Sequence, residues 1–245
     1  MILHIAAKEL RSHLLSPLSW SLLAVMQLLL GWLFLAQVEG FLKIQPRLAG
    51  LQQPPGVTDL VALPLLDSAA IILMLLVPLL SMSVFSREFS SGSFSLLLSS
   101  PVSMTAIVLG KFLALLSVLG IMLLLVALMP LSLLFGTVLD LGTLAAGLLG
   151  LMLTLAAYGA LGMLMSSFTR HPAIAAASSY GALVLLWIVN LAGSSELLQM
   201  ISMSSHFQRL LSGLVNSGDL AYYLLLILAC LVLCIRRLDT LRTQG

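Results

Sequence analysis

Residues 86–112, SREFSSGSFSLLLSSPVSMTAIVLGKF, form a long polar interruption with charge at both ends in a sequence that is otherwise oily. Arg87 and Glu88 close one apolar run, and Lys111 opens inside the next. Between them lie Gly92, Pro101 and a scatter of serines, while Phe89, Phe94 and Leu96 to Leu98 keep enough apolar character for a short helix at a membrane surface. A segment of this kind can be grasped by another protein, although serines and glycine are also ordinary residues of a solvated turn.

What surrounds this stretch sets the class. Of 245 residues 60% are hydrophobic and 8% charged, far from the roughly one quarter charged expected of a soluble globule. Lipid gives backbone groups no water partners, so spans must be helices or a closed barrel, and continuous apolar runs without strict alternation exclude the barrel. The expected fold is an all-α membrane protein. Its net charge of +2 and lack of a basic patch interleaved with aromatics predict no nucleic-acid partner.

Working outward, the chain divides into six expected spans. Residues 1–16 mix Ile2, Leu3, Ile5 and Leu10 with Lys8, Glu9 and Arg11, the pattern of a helix half-sunk in the interface, and lack the layout of a cleavable signal. Pro17 introduces a span at about 18–38 with Trp20 and Trp32 near its ends. Residues 39–59 hold Pro46, Pro54, Pro55 and Gly56, too broken for a regular helix throughout, and read as an external loop with room for one short interfacial helix. The second span, about 60–85, contains Pro78 as a candidate kink and Asp67, an ionisable group that must face a cavity, a partner or the interface.

A third span at about 107–135 leads through a tight turn to a fourth at about 144–168, rich in small residues that include Gly159 and Gly162. The fifth, about 173–192, spaces Ala173, Ala177 and Gly181 four apart, a ridge for helix packing. Residues 193–219 are amphipathic and predict one or two short outer helices, interfacial or re-entrant. The last apolar run, 220–235, would be about 24 Å long as a helix, so Arg236 and Arg237 are expected to snorkel from a longer one. Cys230 and Cys234 read as small hydrophobes, with a metal pair as the alternative.

With six spans, Lys8, Arg11, Arg87, Lys111, Arg170, Arg236, Arg237 and Arg242 fall on one side, against Lys43, Arg47 and Arg209 on the other. The positive-inside rule then puts both termini and residues 86–103 in the cytoplasm. No GxxxxGK[ST] loop, HExxH spacing or GxSxG elbow occurs, so ATP binding, metalloprotease and serine hydrolase chemistry are not expected of this chain. Histidines 4, 13, 171 and 206 read as ordinary interfacial or loop residues. Work done through such a scaffold has to come from a partner, with the Arg87 to Pro101 segment docking in a soluble motor and moving the second and third spans.

The ordered motifs KELRSHLLSPLSW (8–20), REFSSGSFSLLLSSPVSMTAIVLGKF (87–112), SSFTRHPAIA (166–175) and HFQRLLSGLVNSGDLAYY (206–223) resemble permease subunits of the ABC-2 transporter family. The resemblance is greatest to the compact six-span branch with gliding-motility-type and nitrous-oxide-reductase-accessory-type permeases. It covers nearly the whole chain, read as one ABC-2 type domain over 1–245. It implies that residues 1–16, with Lys8, Glu9 and Arg11, are an elbow helix. It implies a coupling helix within 86–103 whose Arg87, Glu88, Phe89, Ser90, Ser91, Gly92, Ser93, Phe94, Leu97 and Pro101 contact a separate cytoplasmic ATPase. Ser93 stands where the family more often has threonine, and Phe89 and Ser90 replace its usual basic or polar pair.

The implied assembly pairs two permease chains, alike or sibling, with two ATPase subunits that hold the ATP and magnesium, in a bacterial inner membrane, with room for an exported or periplasmic partner. No cofactor and no enzymatic activity are expected of this chain. The competing reading is a membrane scaffold that recruits a cytoplasmic partner without transport.

Overall fold

A proline sets the first corner of the chain. The residue before a proline is driven out of the helical region, and Ser16, at φ −77° and ψ 125°, separates helix α1 (Ile2–Leu15) from α2 (Pro17–Leu48). The computed structural model describes residues 1–48, 55–92, 103–189 and 200–244, and every regular element among them is helical. After α2 come a π-helical turn (Thr58–Ala62), α3 (Leu63–Ser81), α4 (Ser83–Ser91), α5 (Met104–Ser132) with a 3-10 turn (Leu133–Phe135), α6 (Leu141–Phe168), α7 (Pro172–Ile188), α8 (Met203–Leu211) and α9 (Ser217–Gln244).

Among the described residues five stretches are long and apolar enough to cross a membrane: Pro17–Arg47, Thr58–Ser90, Met104–Phe135, Leu141–Phe168 and Ser217–Arg242. The apolar α7, at 17 residues, is shorter. The loop expected from residue 39 onward is helical as far as Leu48. Pro46 lies inside the last turn, where only Arg47 and Leu48 follow it, and the Glu39–Lys43 pair at 2.6 Å supports the turn before it.

Helix α3 runs unbroken through Pro78, the candidate kink, and the second span is interrupted one turn later, at Met82 between α3 and α4. The Ser166 hydroxyl of α6 occupies the break, donating to the Met82 carbonyl at 2.8 Å and accepting from the amides of Phe85 and Ser86 at 3.1 Å each. Backbone groups released inside an apolar environment need such partners, and a buried serine supplies three bonds here.

Helix α6 is the axis of the bundle: 72% of its most apolar window is buried, against 17% for the peripheral α2. Its glycines admit the neighbours. A Cβ on Gly162 would lie 2.9 Å from Ser81 Cβ of α3, one on Gly159 3.0 Å from Leu115 Cδ2 of α5, and one on Gly150 2.9 Å from Leu210 Cβ of α8. Helix α7 turns Ala175, Ala176, Ser179 and Leu183 inward instead. Its ridge of Ala173, Ala177 and Gly181 is exposed, and nothing among the described residues lies within 4 Å of a Cβ on Gly181. The packing expected of that ridge is therefore not made among the described residues.

The two ends of the bundle can be identified by their side-chain links. At one end α1, the end of α4 and the start of α5 meet, and Arg237 of α9 lies over Phe168 at the end of α6. At the other end Gln208 of α8 reaches Asp67 of α3, the Asp140 amide donates to Thr58 Oγ1, and Arg209 pairs with Asp219. Helix α8 buries one face in this end of the bundle: Met203, Phe207 and Leu210 are fully buried, seated against Gly150, while Ile201 before it is exposed. Leu197 and Leu198 lie outside the described residues.

Candidate functional site

Lys111 lies in an apolar helix and is 4% exposed. A lone ammonium so placed would be neutralised or excluded, so its partners define the site. Its Nζ donates to Glu88 Oε1 at 2.7 Å, to Glu9 Oε1 at 3.1 Å and to the Val84 carbonyl at 3.2 Å, and lies 5.4 Å from the centroid of the Phe85 ring. Glu9 belongs to α1, and Glu88 to α4, so one ammonium joins three helices.

The residue before it makes this reach possible. A Cβ on Gly110 would stand 2.8 Å from Ile5 Cγ2, so only glycine lets α1 lie this close to α5. The pair Gly110 and Lys111 therefore docks the N-terminal helix and ties it to the end of α4. Glu88 and Glu9 are 22% and 25% exposed, so the cluster meets solvent along one edge.

That edge is a cavity of about 350 Å³ lined by Ser12, His13, Ser16, Ser19 and Arg87 together with the cluster. Burial pushes the His13 imidazole below its ordinary range; Glu9 opposes this, and the positive Lys111 and Arg87 reinforce it. At the far end of the bundle Asp140 caps α6, accepting from the Thr143 hydroxyl at 2.7 Å and from the amides of Gly142 and Thr143. These bonds hold its carboxyl below the usual range, the Thr143 hydroxyl foremost.

Of the residues expected to form the elbow, Glu9 turns inward while Lys8 and Arg11 are exposed. In the expected coupling segment, Arg87 and Ser90 are exposed, Ser90 Oγ donates to the Arg87 carbonyl, and Phe89 packs against the core. Ser91 closes α4, and Gly92 follows at φ +73°, the left-handed geometry that ends helices and favours glycine. Ser93, Phe94, Leu97 and Pro101 lie outside the described residues. Gly159 and Gly162 sit in tight contacts on α6, far from this cluster in sequence, and Ala173, Ala177 and Gly181 join no part of it.

Sequence reasoning missed Lys111 as a site residue; the signal was a lysine four residues into an otherwise apolar run. It also missed a clamp at the opposite end. Asp219, 1% exposed, accepts on Oδ1 from Arg209 Nη2 at 2.6 Å and Arg209 Nε at 2.9 Å, with His206 Nδ1 at 2.6 Å. His206 Nε2 donates to the Met200 carbonyl, and its ring stacks on Tyr222 at 4.0 Å. His206 is thus a buried helical residue rather than a loop histidine, and the clamp binds α8 to α9. Among the described residues no three His, Cys, Asp or Glu side chains gather as a metal site, and Cys230 and Cys234 are buried free thiols.

The described residues thus form an all-helical bundle with five membrane-length helices, an amphipathic N-terminal helix and buried charge where helices are tied together. No curated protein matches the chain. The model of the family described as ABC-2 family transporter protein matches residues 3–241, nearly the whole chain. The chain therefore belongs to the ABC-2 family of transporter proteins, as a multi-pass membrane component.

Proposed function

We propose that this chain is the permease subunit through which a separate ABC ATPase drives export or mechanical transmission across a bacterial inner membrane. Membership of the family implies a permease that associates with an ABC ATPase. The finer reading is of the compact branch with gliding-motility-type and nitrous-oxide-reductase-accessory-type relatives. In it two permease chains, alike or sibling, pair with two ATPases that carry the ATP and magnesium. Residues 1–16 serve as the elbow, and residues 86–103 as the coupling hairpin, on the cytoplasmic side.

The observation that carries this reading is the Lys111 bridge. The base of the hairpin, at Glu88, is tied to α5 directly and to α1 through the same ammonium. Force applied to the hairpin is then delivered to three helices together, as rigid-body coupling requires. The return of α9 to the end where α1 begins supports an even number of crossings, with α7 completing six. Exposure of Ala173, Ala177 and Gly181 is compatible with a second chain packing on α7.

The test combines Glu88→Lys with Gly92→Trp, which reverses the charge and strains the left-handed cap. ATPase co-purification should fall while the permease remains inserted in the membrane. Undiminished co-purification sinks the coupling role. Substrate-stimulated ATP hydrolysis in the reconstituted complex separates a transporter from a scaffold.

A further inference from the structure

A second cavity, of about 280 Å³, opens where the ends of α4, α6 and α9 converge. Arg170 and Arg237 line it with the Thr169 hydroxyl, and Phe89, Phe168 and Leu241 form its apolar wall. Among the described residues no carboxylate lines it, in contrast to the cavity at Lys111, where two glutamates balance the lysine. Residues 93–102, outside the described residues but next to Phe89 and α4 in sequence, read SFSLLLSSPV and contain no acid that could neutralise the arginines. Asp239 is two positions beyond Arg237, hence about 200° around the helix, and is exposed.

Arg237 is held ready. Its guanidinium carbon lies 5.6 Å from the centroid of Phe168, and its buried Nε has no hydrogen-bond partner among the described residues. A buried donor without an acceptor is costly, and an occupant bearing several oxygen acceptors relieves the cost. The planar donor forks of two arginines suit a phosphate. The surroundings specify what the phosphate is attached to: Phe168 is 56% exposed, and Leu233, one turn before Arg237, 52% exposed, so the cationic hollow continues into an apolar, lipid-facing surface.

We infer that this cavity binds the phosphate of an anionic phospholipid, whose acyl chains run along the apolar surface at Phe168 and Leu233. The site lies at the ends of membrane-length helices, and basic hollows between helices near a membrane surface take up such lipids. The lipid braces α4, α6 and α9 against one another. This goes beyond the coupling reading and does not depend on it.

The test uses the full chain with its ATPase partner, purified in mild detergent and offered phosphatidylglycerol or phosphatidylcholine of the same acyl composition, with retained lipid read by native mass spectrometry. Phosphatidylglycerol should be retained in preference, and retention should fall roughly tenfold in Arg170→Gln/Arg237→Gln, the loss of one to two charge-assisted bonds. Arg236→Gln, an exposed neighbour of equal charge, should retain it. Arg170→Gln alone, at an exposed turn, cannot unfold the bundle and should show a partial loss. Equal retention of both lipids, or retention unchanged in the double variant, overturns the inference. So does complete displacement by excess inorganic phosphate, which would mark a site for a free anion. Loss of ATPase co-purification with lipid retention unchanged also overturns it, assigning the arginines to an acidic segment of the partner.

Discussion

The Lys111 ammonium and the Glu88 carboxylate meet at 2.7 Å inside the bundle, although 23 residues separate them in the chain, and the same ammonium reaches Glu9 across 102 residues. Replacing Lys111 by Met leaves two neighbouring carboxylates without their cation. The expected loss of stability is about 2–3 kcal/mol, below the value for a fully buried pair because both acids are partly solvated. Thermal unfolding in detergent measures it. Adding Glu9→Gln and Glu88→Gln to Lys111→Met should restore most of the loss; no recovery would show that packing of the lysine stem, not charge, was removed.

At the opposite end, Asp219 holds Arg209 and His206 to the start of α9. Asp219→Ala should lower stability by about 2–3 kcal/mol, the range for buried charge-assisted bonds, and should free α8 from α9. Hydrogen exchange at Met203–Leu211 reads the second effect. An Arg209→Ala/Asp219→Ala pair whose losses simply add would disprove the direct coupling.

Glycines that look alike in sequence should respond in opposite ways to alanine. At Gly150 the added methyl meets the Cβ of Leu210, which no rotamer change can move, so α8 must shift and about 1–3 kcal/mol is lost. At Gly181 the methyl meets nothing within 4 Å, and alanine's better helix propensity makes the change neutral or stabilising by up to about 1 kcal/mol. Unfolding midpoints of Gly150→Ala and Gly181→Ala, compared on the same chain, decide whether the two faces have been assigned correctly.

His13 gives the N-terminal helix a pH response. Its folded pKa lies below the ordinary 6.5, burial being the main cause, so between the two values the unfolded chain binds the extra proton. Stability is thus complete above about pH 6.5 and is lost as pH falls towards the folded value. His13→Gln should flatten this dependence between pH 7.5 and 5.5, measured by the unfolding midpoint. An unchanged slope would place the responsible group elsewhere.

Much of the architecture was legible because it depends on local chemistry. A charged fraction of 8% and unbroken apolar runs require membrane-spanning helices, and Pro17 requires the corner at Ser16. Residues 39–48 read as loop because prolines break helices, yet α2 persists to Leu48 with Pro46 inside its last turn. The ridge on α7 shows another limit of the sequence: four-residue spacing identifies a face but not what the face meets.

The amino-acid sequence by itself determined that the chain is helical and lipid-embedded, and where most of its helices begin, since those properties follow from composition and from neighbours a few residues apart. Only the tertiary structure decided that Lys111 takes Glu9 and Glu88, that α8 sinks against Gly150, and that Arg170 and Arg237 share a cavity without an acid. Charge has no sequence range: an ammonium in an apolar helix must find an anion, but which one depends on how the helices pack.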